Sequence, residues 1–372
     1  MANNLDLPFV ASRLFGVPHM LASTKLDVIL NALAPRLFEG EKFAVGAFSE
    51  KDVADLPLPE AYVVRGNVAI IPIHGTLVRR GAWLGAVSGL TSYEGLGHSF
   101  REAIAQPDVR AVLLDIDSGG GEAGGVFDLV EEFRTLSQVY NKPIWAHANE
   151  FACSAAYALA CAASQIWIAR TGVVGSIGVV CAHLDQSRAD EKQGYKWTFV
   201  FEGDHKVHGN PHEPLAERAL EKMQADCALL YDMFVDLVAQ NRPMSAAAIR
   251  ETKADTFIGT QAIRLGLADV QGTFAQALEA LMDSIRHPPT AIDEEGVNPW
   301  HAQNTEPKKR LSKRMRKKKL STSPMKKTTT LMLMPKPSTK MTKKEKTKKM
   351  MMKTRAKTFR PCVNKRESVH AH

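Results

Sequence analysis

From Val109 to Leu136 the chain passes from an apolar, β-branched run, VRAVLLDID, through Ser118, Gly119, Gly120, Gly121 and Glu122 into a stretch of different period. There Val126, Phe127, Leu129, Val130, Phe133 and Leu136 recur at three- and four-residue steps. The first run suits a strand buried on both faces, the second an amphipathic helix. Strand, glycine turn and helix in succession form the unit from which parallel sheets are assembled. The pattern continues on both sides: YVVRGNVAIIPIHG precedes it, PIWAHAN and the small-residue helix CSAAYALACAAS follow, and IWIA, SIGVV and WTFVFE read as three more short strands. The sequence therefore predicts an α/β fold around a largely buried parallel sheet.

After residue 210 the pattern turns helical. Leu215, Ala219, Leu220, Met223, Cys227, Leu230, Tyr231, Phe234, Leu237 and Val238 form one long apolar stripe that packs on the core or on a neighbouring subunit. Pro243 stops that helix and Ser245 can cap the next, AAAIRETK. ADTFIGTQAIRLGLADVQG then reads as a strand, a helix and a glycine turn that complete a domain near residue 285. The expected organisation is an arm over 1–60, a domain over 61–285, and a linker and tail over 286–372. The arm, with Pro8, Pro18, Pro35, Pro57 and Pro59, suits irregular chain with a helix around Leu26–Leu37 more than a sheet.

The 372 residues carry a net charge of +8, which hides a division. Residues 301–372 hold 24 Lys and Arg against Glu306, Glu345 and Glu367, a charge of +21, and residues 1–300 are at −13. Any attraction to nucleic acid thus belongs to the tail alone. The tail lacks periodicity and consists mostly of Lys, Arg, Met and Thr, a composition expected to be disordered. A run of Asp and Glu codons, GAN-GAN, read one base later becomes ANG, which encodes only those four residues. The tail therefore reads as an acidic low-complexity segment in a shifted frame, the rival being a polybasic arm for DNA or RNA.

No stretch reaches the roughly 18 uninterrupted apolar residues of a membrane span, and the first residues lack the pattern of a secretory signal, so a soluble, unexported protein is expected. Cys153, Cys161, Cys181, Cys227 and Cys362 have no CxxC spacing; buried free thiols in a reducing compartment are expected, with no zinc site.

Three segments could do chemistry. The glycine segment 119–121 can turn N–H groups toward a ligand; without GK[ST] or GxGxxG spacing it is poorly suited to nucleotides, leaving an oxyanion-binding turn or a plain tight connection. Ser154, at the start of the small-residue helix, is either a cap or a nucleophile beside unpaired N–H groups. Lys206, in FEGDHKVHGNPHEP, becomes a general base only when burial lowers its pKa, and His147 and His183 are competing bases.

DIDSGGGE, the CSAAYALACAASQIWIARTGVVGSIGVV run, EGDHKVHGNPHEPL and DTFIGTQAIRLGLADVQG, in that order, resemble the signal peptide peptidase A family of serine proteases over roughly residues 65–285. The likeness is greatest to the family's soluble phage branch, the head-maturation or minor capsid protein C type, whose N-terminal arm is similar to LPFVASRLFGVPHML. The resemblance implies a ClpP/crotonase-like fold of repeated strand-strand-helix units and a Ser/Lys dyad without cofactor or metal. It implies Ser154 as nucleophile, Lys206 as base, oxyanion contacts at Gly120, Gly121 and Ala155, and Ser176 orienting the lysine. The phage pattern has Pro where Gly119 stands, so the loop is freer here.

What the resemblance implies is a serine endopeptidase cutting scaffold, portal or other capsid-interior proteins, and itself, inside a procapsid in the bacterial cytoplasm. It also implies a homo-oligomer in which neighbours share residues of the active sites. Two other classes stay open: a non-catalytic assembly protein on the same fold, and a crotonase-like acyl-CoA enzyme, which would leave Lys206 without a role.

Overall fold

The computed structural model describes residues 15–27, 29–30, 61–80 and 89–287. The tail, the linker after residue 287 and most of the expected Leu26–Leu37 helix lie outside the described residues, as does Cys362.

Three parallel strands form the centre: β3 (Val68–Val78), β5 (Ala111–Glu122) and β6 (Ile144–Cys153), with Ile71 beside Leu114 and Leu114 beside Ala146. Because the side-chain period of a strand is two, each carries two apolar faces. Val112, Leu114 and Ile116 join the main core with α1 (Tyr93–Ala105), α2 (Val126–Tyr140) and α3 (Ala155–Ala160). Ala111, Leu113 and Trp145 face the other way, onto Leu281 and Ile285 of α8 (Phe274–Arg286). Helices on both faces explain why these strands read as continuous apolar runs. Between α1 and α2 the rings of Phe100 and Phe133 stack with centroids 3.9 Å apart.

The expected α/β fold is present, as are the strand over IWIA, now β7 (Gln165–Ile168), the long helix, α5 (Glu217–Asn241), and the Ser245-capped helix, α6 (Ala246–Glu251). β10 (Thr256–Ile258) and α7 (Thr260–Leu265) follow as expected. A hairpin joins β2 (Val63–Arg65) to β3 through Gly66 and Asn67, both at positive φ, the conformation a two-residue turn requires.

Four expectations need correction. The glycine segment is not a turn: β5 runs on as a strand to Glu122, because Gly120 and Gly121 pair with Thr76 and Leu77 of β3 after a bulge at His74. On their other side they pair with Leu21 and Met20. The arm accordingly contributes a strand, β1 (Pro18–Leu21), antiparallel to both β5 and β9 (Val180–Cys181). Its proline is the first residue, where a missing N–H is tolerated. SIGVV is strand only at Val180, β8 being Val173–Gly175 before it, and WTFVFE forms no strand among the described residues. Finally, β4 (Leu90–Ser92), α1 and α8 were not anticipated, although Ser92 caps α1 and Thr273 and Gln276 form a capping box on α8.

Of the stripe, Ala219, Phe234 and Val238 are buried and Leu220 is exposed; Val235 beside it is also buried, while Leu229 and Met233 on other faces of α5 are exposed. At its end the buried Arg242 donates through both terminal nitrogens to Asp269, at 2.9 and 2.7 Å, and through Nε to Gly266 O. Among the described residues no helix is long and apolar enough to cross a membrane, and no group of three or more His, Cys, Asp and Glu could hold a metal ion. Cys153 and Cys161 are buried free thiols as expected, and Cys181 and Cys227 are half-buried and also free.

Candidate active site

Strand β6 ends at Cys153 and α3 begins at Ala155, so Ser154 makes the whole connection. It does so at φ 56°, ψ −121°, a conformation that non-glycine residues adopt only when their surroundings enforce it. Two bonds enforce it here: the Ser154 N–H donates to Gly175 O at 2.8 Å, and Ser154 O accepts the Ala158 N–H at 3.0 Å. Tyr157, wholly buried, anchors the helix by donating to Leu267 O at 2.9 Å. Ser154 does not cap the helix with its side chain; its Oγ is buried and has no hydrogen-bond partner. A strained serine with an uncommitted hydroxyl at a helix start has the geometry from which a strand-to-helix turn can present a nucleophile.

Gly120 lies against this turn at φ 98°. A Cβ there would stand 3.0 Å from Ala155 N and 3.0 Å from Cys153 O, and would collide with Met20 O. Gly121 is equally closed in, against the backbone of Leu77. Ser118 fixes the segment by donating to Gly75 O at 2.6 Å and accepting the Gly120 N–H at 3.1 Å. At its far end Glu122 accepts the Arg79 N–H at 2.7 Å, and its carbonyl accepts the Tyr93 hydroxyl at 2.6 Å. In this state the Gly120 N–H is therefore engaged, and the Ala155 N–H at the first helical position is the freer of the two expected oxyanion donors. Lys25 occupies the space beside Gly119: a Cβ at 119 would lie 2.7 Å from its Cγ.

Gly175 and Ser176 complete the cluster. Gly175, at φ 112°, pairs with Cys153, and the Ser176 N–H donates to Asp255 O at 2.8 Å. The structure thus brings Ser154, Ala155, Gly120, Gly121 and the 175–176 turn together. Lys206 does not join them: it is exposed, its N–H bonded to Gly203 O, and its amine reaches no group of this cluster. The burial a lysine base requires is not supplied within one chain.

Neither histidine takes its place at Ser154 Oγ. His147 belongs to the other face of the sheet, bonded to Gly272 O at 3.1 Å and edge-on to Phe274; burial lowers its pKa against smaller raising effects of Gly272 O and Asp115. His183 Nε2 is buried without a partner. The neighbouring Cys153 thiol is pushed up by burial to about 12, so it stays protonated at neutral pH and does not compete as a nucleophile. Sequence reasoning missed Ser118, Gly175 and Met20. The first two lie inside motifs quoted for other residues, and Met20 lies inside LPFVASRLFGVPHML with nothing to mark it as a neighbour of Gly120.

The profile of Peptidase family S49 matches residues 137–286, which include Ser154, Ser176 and Lys206. Over 293 residues the chain is 34% identical to capsid assembly protease C of Escherichia phage lambda, covering 75% of this chain and 66% of that protein. Over 208 residues it is 39% identical to head-tail preconnector protein GP5 of Enterobacteria phage P21, covering 56% of this chain and 41% of that one. The chain spans just under two thirds of the first relative's length and well under half of the second's. Among solved structures, ClpP1 of Listeria monocytogenes aligns at a TM-score of 0.36 and 11% identity, covering 56% of this chain and 94% of that one. Residues 137–286 of the chain carry a peptidase family S49 domain.

Proposed function

We propose that this chain is a serine endopeptidase of phage head maturation, with Ser154 as nucleophile and scaffold, portal or other capsid-interior proteins as substrates inside the procapsid. The observation that carries the reading is the buried, unpartnered Ser154 Oγ on a strained turn beside the Ala155 N–H. In the proposed reaction Ser154 Oγ attacks a peptide carbonyl as its proton passes to a base, and the resulting oxyanion is stabilised by Ala155 N–H. The Gly120 N–H joins once it leaves Ser118. The leaving amine takes the proton, and water then releases the acyl group and regenerates the serine.

Lys206 is the proposed base, delivered by a second copy of the chain. Its exposure supports this, as do the exposed apolar side chains of Trp197, Val200 and Phe201 just before it, which suit a subunit contact. Ser176, buried beside Ser154, is the proposed orienting group for the arriving amine. The basic tail remains the proposed element for any nucleic-acid contact.

The absence of a base at Ser154 within one chain equally favours a non-catalytic assembly protein, and one experiment separates the two. Wild type, Ser154→Ala, Lys206→Ala and an equimolar mixture of the two variants are incubated with the scaffold protein and a fluorophosphonate, and mass spectrometry reads new termini and adducts. Cleavage by wild type and by the mixture, with neither variant active alone, is the expected result. Inertness throughout would leave the assembly protein.

A further inference from the structure

β1 reaches the sheet from far away in sequence and fills a slot. On one side it lies antiparallel to β5, His19 opposite Glu122, Met20 opposite Gly121 and Leu21 opposite Gly120; on the other it lies antiparallel to β9, Pro18 opposite Cys181 and His19 opposite Val180. Just past the strand, the Ala22 N–H donates to Gly119 O at 2.9 Å. Lys25 continues over the same segment, its Nζ 4.9 Å from the centre of the Phe151 ring.

Gly120 connects this slot to the Ser154 turn, because its missing side chain would strike Met20 O on one side and stand 3.0 Å from Ala155 N on the other. A four-residue segment paired through its backbone on both edges, one glycine away from the proposed nucleophile, is bound as an added strand is bound by a sheet edge. Main-chain pairing accepts any extended peptide, and side chains set the preference. Met20 is wholly buried in the main core, whereas Leu21 packs with Phe15, Leu26, Ile29, Leu30 and Val180 in a small separate cluster. A four-residue strand that joins the main core through Met20 alone, with Leu21 in the satellite cluster, has few apolar contacts to give up on local opening.

We propose that the slot between β5 and β9 is the peptide-binding groove and that residues 18–22 are its resident occupant, a plug within the chain that a substrate strand must displace. The proposal rests on Ser154 being the nucleophile. Substrates would enter as extended segments in the register of β1, with the residue opposite Gly121 filling the site of Met20.

The test exploits the native Cys181. Residues opposite each other on antiparallel strands have Cα atoms about 4.5–5.5 Å apart, within disulfide reach, so Pro18→Cys can be locked to Cys181 by oxidation and released by reduction. On a Ser154→Ala background, binding of a fluorescein-labelled peptide with the sequence of residues 15–26 is read by anisotropy, the disulfide being verified by mass. The reduced protein should bind the peptide about tenfold or more tighter than the oxidised one, a difference of about 1.4 kcal/mol. Ala22→Pro, which removes the N–H bonded to Gly119 O, should bind it tighter than the parent. Equal affinity in the two redox states, or no binding in either, overturns the proposal. Should Ala22→Pro fail to fold, the redox pair decides on one polypeptide. Fluorophosphonate labelling of the protein with Ser154 intact tests the nucleophile separately: gated binding without labelling would keep the groove and remove the peptidase.

Discussion

The Ser154 N–H donates to the Gly175 carbonyl at 2.8 Å, so the turn carrying the proposed nucleophile hangs from a second turn that only glycine fits. Gly175 sits at φ 112°, and a Cβ there would stand 2.6 Å from Asp255 O, the same oxygen that accepts the Ser176 N–H. Gly175→Ala must therefore push the 255 and 175 backbones apart and drag Ser154 with them. The expected cost is about 1–3 kcal/mol of stability, as for other enforced strained conformations. The labelling rate at Ser154 should fall more steeply than the stability, since misplacement by about 1 Å can cost about 100-fold in rate. Urea titration and fluorophosphonate kinetics on the same sample measure both, and unchanged labelling would show that the two turns are not coupled.

Ser154 itself is held at a cost. Its φ of 56° is strained for any residue with a Cβ, and its buried Oγ has no partner. Ser154→Gly removes both burdens and should raise stability by about 1 kcal/mol or more while abolishing labelling; Ser154→Ala removes the second alone and should gain less. Thermal unfolding of the three proteins ranks them, and a wild type more stable than both variants would mean that the serine is a structural residue.

The sequence made the central sheet legible because its strands are buried on both faces, so VRAVLLDID and PIWAHAN could be nothing but interior. Ser154 and Gly120 were legible as types of residue in a pattern, and the structure supplies what pattern lacks: φ, burial and the missing partner at Oγ. The glycine segment was misread because three glycines suggest a turn, whereas here their lack of side chains lets β1 and β3 close on them from both sides. β1 was misread for a related reason. Pro18 and its short apolar neighbours carry no period of their own, and their strand conformation is imposed by partners about a hundred residues away. Lys206 shows the remaining limit: local sequence fixes its turn, whereas its proposed pairing with Ser154 would form only between chains, which no local pattern can register.

The Arg242–Asp269 pair ties the end of α5 to the loop before β11 (Val270–Gln271), and Asp269 Oδ2 also accepts the Ile166 N–H at 2.7 Å. The Arg242 side chain is only 3% exposed. Arg242→Ala strands the carboxylate and opens a void, so a loss of about 3–5 kcal/mol is expected. Arg242→Met with Asp269→Asn restores the packing, removes the lone charge and keeps an oxygen for Ile166, and should recover more than half of that loss. Urea midpoints give the answer. A double variant no better than Arg242→Ala would mean that the ion pair itself, and not the avoidance of a stranded charge, stabilises this corner.

His147 sets an acid-side dependence whose sign follows from its environment. Burial holds its pKa below the ordinary histidine value; Gly272 O accepts from one ring nitrogen, and Nδ1 is buried with no partner. Protonation would put a charge where the raising effects of Gly272 O and Asp115 are the smaller ones. The unfolded chain therefore binds this proton more readily than the folded one. The contribution is fully present above about pH 6.5 and is lost as pH falls toward the folded-state value, with a slope of at most about 1.4 kcal/mol per pH unit. His147→Gln cannot titrate. Its stability should be lower than wild type at pH 8 through imperfect packing, yet should fall less between pH 7 and pH 5. Urea titrations across that range compare the slopes, and parallel curves would mean that His147 is not the group that makes the fold acid-sensitive.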